Sequence, residues 1–319
     1  MIFEKKIIGI YESQFMSRCD DKGLAHYFSH SDFPGLRQQS FDFMSSLGHT
    51  MKGWFYCYDK VIPGRLVVFE HGFGGGHRSY MKEIEKLCSH GYLVYTYDHT
   101  GCMESGGDSP RGLSQSLRDL NDCLNALRST PGSRDLDISV MGHSWGGFST
   151  MNICALHPEV SHIVAMCGFV SVPEMAGQFF SGILKGYRKG VLALEEKNNP
   201  EFVRYNAAES LAGTDIPVLL LYSADDKLVS RGIHHDTLKK DLAHKSNIRI
   251  LLEENKGHNP NYTREAVRYL GEYAAALARK NKQLRTESRK KAFRDSWDWD
   301  RMTIQDDNVW TEIFRTLDA

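Results

Sequence analysis

The chain has 319 residues, and its 39 lysines and arginines nearly balance its 40 aspartates and glutamates, which gives a formal net charge of -1. This balance excludes the strong basic excess of nucleic-acid-binding proteins and polybasic membrane adaptors, so we expect no nucleic-acid partner. A composition of 41% hydrophobic and 25% charged residues excludes disordered and collagen-like chains.

The cysteines and the first residues bear on where the protein works. The seven cysteines include no C-x-x-C pair, which argues against a disulfide framework and a zinc knuckle. The first fifteen residues lack the apolar run of a signal peptide, and no stretch reaches the roughly 18 apolar residues of a spanning helix. We therefore expect a cytoplasmic protein without stable membrane insertion.

Short apolar runs alternate with amphipathic helical segments along most of the chain. The predicted strands are 66–70, 92–97, 138–141, 163–166, 217–222 and 248–252. The predicted helices are 79–90, 110–128 and one that begins near Asn261. This alternation is typical of an α/β fold, a mostly parallel, doubly wound sheet with helices on both faces. Two upstream segments, 6–10 and 54–58, are predicted as antiparallel edge strands.

Two segments depart from this alternation. Residues 171–212 read as a helical insertion that either packs on the sheet layer or forms a cap over a pocket. Residues 283–319 form an extension with Trp297, Trp299 and Trp310, which we expect to pack on the body or on a partner subunit, so a homodimer is one expectation. The core is then predicted to comprise residues 1–170 and 213–282.

The sharpest motif is Gly142-His143-Ser144-Trp145-Gly146-Gly147, which lies between a predicted buried strand and a predicted helix. In the pattern G-x-S-x-G, a serine in a tight strand-to-helix turn adopts strained backbone angles, and the flanking glycines avoid clashes. Ser144 is therefore the candidate nucleophile.

A serine hydroxyl needs a histidine base, and that base needs a carboxylate to fix its tautomer. In this architecture the acid and then the base follow the serine along the chain, each after a later strand. Asp225 and Asp226 follow the strand 217–222, and His258 follows the strand 248–252. The order Ser144, Asp226, His258 fits, with Asp225 as the alternative acid.

With these motifs, the chain from Val61 to Ala278 resembles the α/β-hydrolase superfamily, in particular its HG-x-x-G, GHSxGG members, which include carboxylesterases, monoacylglycerol lipases and serine aminopeptidases. The resemblance implies Ser144 as nucleophile, His258 as base and Asp226 as acid, with Ser223 where a glycine is usual. It also implies an oxyanion hole formed by the backbone N–H groups of Phe73 and Trp145. A phosphate-binding loop is the competing interpretation of the glycines at 72–76, but no Gly-Lys-Ser/Thr follows them.

These observations predict a serine hydrolase that works through an acyl-enzyme, with no metal and no organic cofactor. The apolar insertion favours a carboxylesterase acting on small to medium hydrophobic esters. A serine aminopeptidase, with Glu174 as the candidate amine-binding carboxylate, and a thioesterase of the same fold stay open. The alternative from another class is a non-catalytic binding protein on a hydrolase fold.

Overall fold

An eight-stranded, mostly parallel sheet forms the centre of the fold in the computed structural model, which describes residues 2–319. The strands are β1 (Arg37–Ser40), β2 (Phe43–Met44), β3 (Thr50–Met51), β4 (Gly53–Cys57), β5 (Arg65–Glu70), β6 (Leu93–Tyr97), β7 (Asp137–His143), β8 (Ile163–Met166), β9 (Val218–Ser223) and β10 (Ile248–Glu253). The order across the sheet is β1-β4-β6-β5-β7-β8-β9-β10. Strands β1 and β4 run antiparallel to their neighbours and the rest pair in parallel, while β2 and β3 form a separate pair.

Helices cover both faces of this sheet. They are α1 (Ile2–Phe15), α2 (Met81–His90), α3 (Gln115–Ser129), α4 (Trp145–Asn152), α5 (Val172–Phe179), α6 (Arg188–Asn198), α7 (Ala207–Ala212), α8 (His235–Asp241), α9 (Arg264–Lys280), α10 (Glu287–Asp295), α11 (Trp299–Met302) and α12 (Asp307–Leu317). Along β5, Leu66 and Val68 pack into the cluster that contains α3 and α4, whereas Val67 and Phe69 pack into the cluster that contains α2 and α12. Continuous apolar sequences are therefore needed in the central strands β5, β7, β8 and β9, because both sides of these strands are buried.

The predicted parallel strands are confirmed to within one or two residues at each end, and the fold class is confirmed with them. The predicted strand 54–58 is β4, which is antiparallel as expected but lies between β1 and β6 rather than at the edge. The predicted strand 6–10 is wrong, because these residues belong to α1. Ile7, Ile8, Tyr11 and Phe15 recur at helical spacing, and the helix that they form packs against α6.

Helix α1 packs against the insertion, which contains α5, α6 and α7. The insertion is closed at its base, where Ser171 and Asn206 form an antiparallel bridge and the Ala207 N–H donates to the Val170 carbonyl. Beyond this closure, α7 packs on α4. The apolar side chains of the insertion are only partly covered: Val191 is buried, whereas Ile183 is 98% exposed.

The C-terminal extension packs on the body of the same chain. Trp310, Ile313 and Leu317 of α12 are buried in the cluster that α2 and the sheet share. Trp297 and Trp299 lie with their ring centroids 5.5 and 5.2 Å from that of Tyr273 on α9. The extension thus buries Trp310 and half-buries Trp297 and Trp299 within one chain. Among the described residues, no helix has both the length and the apolar character needed to cross a bilayer.

A buried carboxyl joins α1, the insertion and the core. Glu195 of α6 is fully buried, its Oε1 accepts from the Tyr11 hydroxyl at 2.6 Å, and its Oε2 accepts from the Leu113 N–H at 2.9 Å. Burial raises the pKa of Glu195 to about 7, partly offset by these hydrogen bonds. The folded chain therefore holds a proton at pH values where an unfolded glutamate has already lost it.

With rising pH, the free energy of unfolding decreases wherever the folded state binds more protons than the unfolded state. The wild type should therefore lose stability between about pH 5 and pH 8, and we expect Glu195→Gln to lose less over the same range. The difference between wild type and variant should change by roughly 3 kcal/mol across this window. Denaturant unfolding at a series of pH values measures it. Glu196→Gln changes the exposed neighbour and should leave the pH dependence of the free energy of unfolding as in wild type. An equal pH dependence in wild type and Glu195→Gln would contradict the raised pKa of Glu195.

Candidate active site

Ser144 lies in a strained turn between β7 and α4. Its backbone has φ 56° and ψ −111°, and its N–H donates to the Met166 carbonyl at 2.8 Å, which holds the turn against β8. A Cβ at Gly142 would overlap Thr150 and the Gly146 carbonyl, and a Cβ at Gly146 would overlap the Glu70 carbonyl. The two glycines therefore let the strand and the helix approach closely enough to form the turn.

His258 and Asp226 come together at the same edge of the sheet. Asp226 follows β9, His258 follows β10, and Nδ1 of His258 lies 2.6 Å from Oδ2 of Asp226. The other carboxylate oxygen of Asp226 accepts the N–H groups of Leu228 and Val229. Burial by itself would raise the pKa of Asp226, but the His258 contact and these N–H groups outweigh it, so the pKa is lowered and the carboxylate stays ionised.

Asp225, the alternative acid, has a different set of partners. Its Oδ1 accepts the Ser223 hydroxyl at 2.6 Å and the backbone N–H groups of Lys256 at 3.1 Å and Gly257 at 3.0 Å. Asp225 thus binds the backbone that leads to His258, while Asp226 binds the imidazole. Ser223, which stands where the resemblance would place glycine, orients Asp225.

A hydrogen bond to the Gly72 carbonyl fixes the direction of the Phe73 N–H, which belongs to the same peptide unit. The buried His71 accepts the His99 N–H at Nε2, so the proton of the neutral ring is on Nδ1, which donates to the Gly72 carbonyl at 2.8 Å. Burial lowers the pKa of His71 to about 3, in keeping with a neutral ring. Because a trans peptide directs its C=O and N–H in opposite directions, this bond fixes the direction of the Phe73 N–H.

Trp145, the second predicted donor, is the first residue of α4, so its N–H has no acceptor within the helix. The two residues are close to each other, with ring centroids 5.0 Å apart. An anion held between their N–H groups would also lie at the positive end of α4.

Tyr80 and His143 connect the three parts of the site. The Tyr80 hydroxyl accepts the Gly72 N–H at 3.0 Å and donates to Nδ1 of His143, and Nε2 of His143 then donates to the His258 carbonyl at 2.6 Å. Burial, with the neighbouring His258 charge, lowers the pKa of His143 to about 3, so His143 acts as a neutral connector. One chain of hydrogen bonds therefore joins the glycine loop (72–76), the serine turn (142–146) and the histidine loop (254–258).

Cys167 was not predicted from the sequence. Its thiol, together with one donor atom each from Asp226 and His258, forms a set of potential metal ligands that all lie within 4.8 Å of one another. Burial and the adjacent Asp226 carboxylate raise the pKa of Cys167, so the thiol stays protonated beside that carboxylate. We interpret this set as the hydrogen-bonded pair Asp226 and His258 with a protonated thiol beside it. No sequence signal marks Cys167, because its role depends on β8 lying beside β9.

An aromatic cluster lies beside the glycine loop. Phe15 of α1 is 5.2 Å from Phe73 and 5.5 Å from Phe179 of α5, measured between ring centroids. The helical spacing of Phe15 with Tyr11 could have indicated this role, but the segment reads equally well as a short strand. An apolar wall thus stands next to the predicted oxyanion donor Phe73.

Comparisons with known proteins agree with this fold. A family model described as serine aminopeptidase, S33, matches residues 62–207. A protein of Agrobacterium fabrum provisionally named a carbamate hydrolase is 26% identical over 145 residues, 44% of this chain and 52% of its own length. Cutinase 2 of Thermobifida cellulosilytica is 30% identical over 101 residues, 31% of this chain and 38% of its own length. The chain therefore spans about half or less of these curated relatives.

A solved structure extends the likeness to most of the chain. An esterase of Pyrococcus furiosus superposes with a TM-score of 0.59 over 86% of this chain and 97% of its own, at 16% identity, which supports the fold alone. The sheet order, the serine turn, the matched family model and this superposition together show an α/β-hydrolase fold, and the chain is similar to proteins of that superfamily.

Proposed function

We propose that the protein is a serine hydrolase that cleaves carboxylic esters through an acyl-enzyme. The observation that carries the proposal is the 2.6 Å hydrogen bond between His258 and Asp226. The His258 carbonyl also accepts a hydrogen bond from His143, the residue that precedes Ser144 in its strained turn. A nucleophile, a base and an orienting acid in this order are what acyl transfer to serine requires.

Each residue then has a defined role in the reaction. His258, with its Nδ1 proton held by Asp226, takes the Ser144 hydroxyl proton at Nε2 as the serine oxygen attacks the ester carbonyl. The N–H groups of Phe73 and Trp145 stabilise the oxyanion, and loss of one such donor costs about 3 kcal/mol of barrier stabilisation. His258 returns the proton to the leaving alcohol, and water cleaves the acyl-enzyme by the same steps.

The surroundings favour an uncharged, hydrophobic acyl group. Phe15, Phe73 and Phe179 form an aromatic wall beside the oxyanion donor, and a net charge of -1 provides no strong field to attract an ionic substrate. The names of the Thermobifida cutinase and the Pyrococcus esterase add support for ester cleavage.

A serine aminopeptidase is the second candidate, and Glu174 favours it. Its Oε2 is buried on α5 without a hydrogen-bond partner among the described residues, as expected of a carboxylate that awaits a substrate amine. The description of the matched family model points to the same activity.

A panel of substrates tests these proposals: p-nitrophenyl esters from acetate to dodecanoate, acyl thioesters and aminoacyl anilides. We expect the highest kcat/KM on a short or medium ester and no loss of ester turnover in Glu174→Gln. Faster cleavage of the anilides, lost in Glu174→Gln, would favour the aminopeptidase, and faster cleavage of thioesters would favour a thioesterase. A wild type that cleaves none of them and is not labelled by a fluorophosphonate would favour a binding protein.

A further inference from the structure

Lys256, two residues before His258, is a buried lysine with a complete set of partners. Its side chain is 2% exposed, and its Nζ donates to the Asp306 carboxylate at 2.6 Å, the Tyr262 carbonyl at 2.6 Å and the Pro260 carbonyl at 3.5 Å. An ammonium has three donors, and a buried one is stable only if they are satisfied and its charge is paired. The lysine therefore has one favourable position, and the histidine loop must adopt the path that reaches it.

Asp306 belongs to the C-terminal extension and is itself fixed. Its second carboxylate oxygen accepts the Asn308 N–H and so caps α12, and its own N–H donates to the Asn261 carbonyl at 2.8 Å. The neighbouring residues pair in the same way, since the Thr263 N–H donates to the Ile304 carbonyl at 2.9 Å. The extension thus runs beside the segment that follows His258 and presents Asp306 to Lys256.

Two carboxylates from distant parts of the chain, Asp225 and Asp306, bind the histidine loop. Asp225, after β9, accepts the N–H groups of Lys256 and Gly257, which fixes the backbone. Asp306 holds the Lys256 side chain, and without it the buried ammonium keeps only the more distant Glu253 carboxylate, at 3.9 Å, as a counter-charge, so the loop would have to move to solvate it. Such a movement would displace His258 relative to both Asp226 and Ser144.

We propose that Lys256 and Asp306 are positioning residues for His258, so that the C-terminal extension supplies part of the catalytic geometry. This inference rests on the proposed serine-hydrolase function. It assigns the extension a role in the reaction although the extension lies outside the region that matches the family model, which ends at residue 207. The two residues touch no reacting atom, and they act through the position of the imidazole.

The test compares Asp306→Asn with wild type in the full-length chain. We expect kcat on a p-nitrophenyl ester and the rate of Ser144 labelling by a fluorophosphonate to fall together by about tenfold, with KM nearly unchanged, because a displaced base slows the chemical step. Lys256→Met should have the same effect, and Asp306→Glu should recover part of the loss. Asp307→Asn is the matched control, because Asp307 is an exposed neighbour paired with Lys86 on the surface, and it should keep wild-type kcat.

Ile313→Ala separates positioning from stability, since it weakens the packing of α12 without touching Lys256. It should lower the melting temperature and retain wild-type kcat below it. An Asp306→Asn protein that melts earlier but keeps wild-type kcat and labelling rate would overturn the inference. If Asp306→Asn does not fold, Lys256→Met combined with Asp306→Leu removes both charges, and wild-type kcat in that protein would overturn it equally. A wild type that is not labelled at all would instead overturn the proposed function and this role with it.

Discussion

Replacing Ser144 with alanine is expected to lower kcat for ester hydrolysis by at least about 10⁴-fold, because the acyl-enzyme can no longer form. The residual rate would come from substrate binding and the oxyanion donors, which the substitution leaves in place. Steady-state turnover of a p-nitrophenyl ester and mass spectrometry after fluorophosphonate treatment provide the two measurements, and the added mass should map to Ser144 in wild type.

Ser89→Ala is the matched control for this experiment. Ser89 lies near the end of α2, where its exposed hydroxyl donates to the Lys86 carbonyl, so its loss should change neither turnover nor labelling. Hydrolysis by Ser144→Ala at the wild-type rate, or a label found on another residue of the wild type, would show that the nucleophile has been assigned wrongly.

The second large effect is expected at Asp226. Asp226→Asn should lower kcat by about 10⁴-fold, because an amide no longer favours the tautomer with the proton on Nδ1 and cannot balance the imidazolium charge. Asp225→Asn should cost much less, on the order of tenfold, because the amide oxygen can still accept the Lys256 and Gly257 N–H groups. Full pH profiles of kcat/KM for both variants measure the difference.

Each of these two variants is the control for the other, because the same chemical change is made at adjacent positions. Circular dichroism and melting temperature should show both variants folded at the assay temperature. A larger loss of turnover from Asp225→Asn than from Asp226→Asn would reverse the assignment of the acid.

The centre of the fold and the order of the candidate site could be predicted because each depends on local sequence. The strands 66–70, 138–141 and 217–222 are continuous apolar runs between turn residues, and only buried parallel strands need such runs. Ser144, Asp226 and His258 follow three of the strands, so the parallel sheet by itself brings them to one edge.

The segment 6–10 shows where local reading fails. Its apolar residues fit either a short strand or one face of a helix, and only the packing of Tyr11 on Glu195 and of Phe15 on Phe179 decides between them. The choice between Asp225 and Asp226 is similar, because both follow β9 and the direction of each side chain depends on the neighbouring loop.

The contacts of Cys167 and Lys256 could not be predicted from the local sequence around either residue. Cys167 meets Asp226 only because β8 and β9 are adjacent, and Lys256 meets Asp306 only because the extension returns to the histidine loop. A lysine in a polar loop would ordinarily be expected in solvent. Its burial reflects a partner 50 residues away along the chain.

The closed base of the insertion has a consequence for how the protein could diversify. Because Ser171 and Asn206 lie side by side, the chain between them can change in length or sequence without moving β8 or α7. Yet Glu195 inside that loop is bound to Tyr11 near the start of the chain, and Phe179 packs on Phe15. Replacing the insertion with that of a homologue, in order to alter the substrate range, would therefore require α1 to be replaced with the matching helix. The insertion and α1 would thus have to change together.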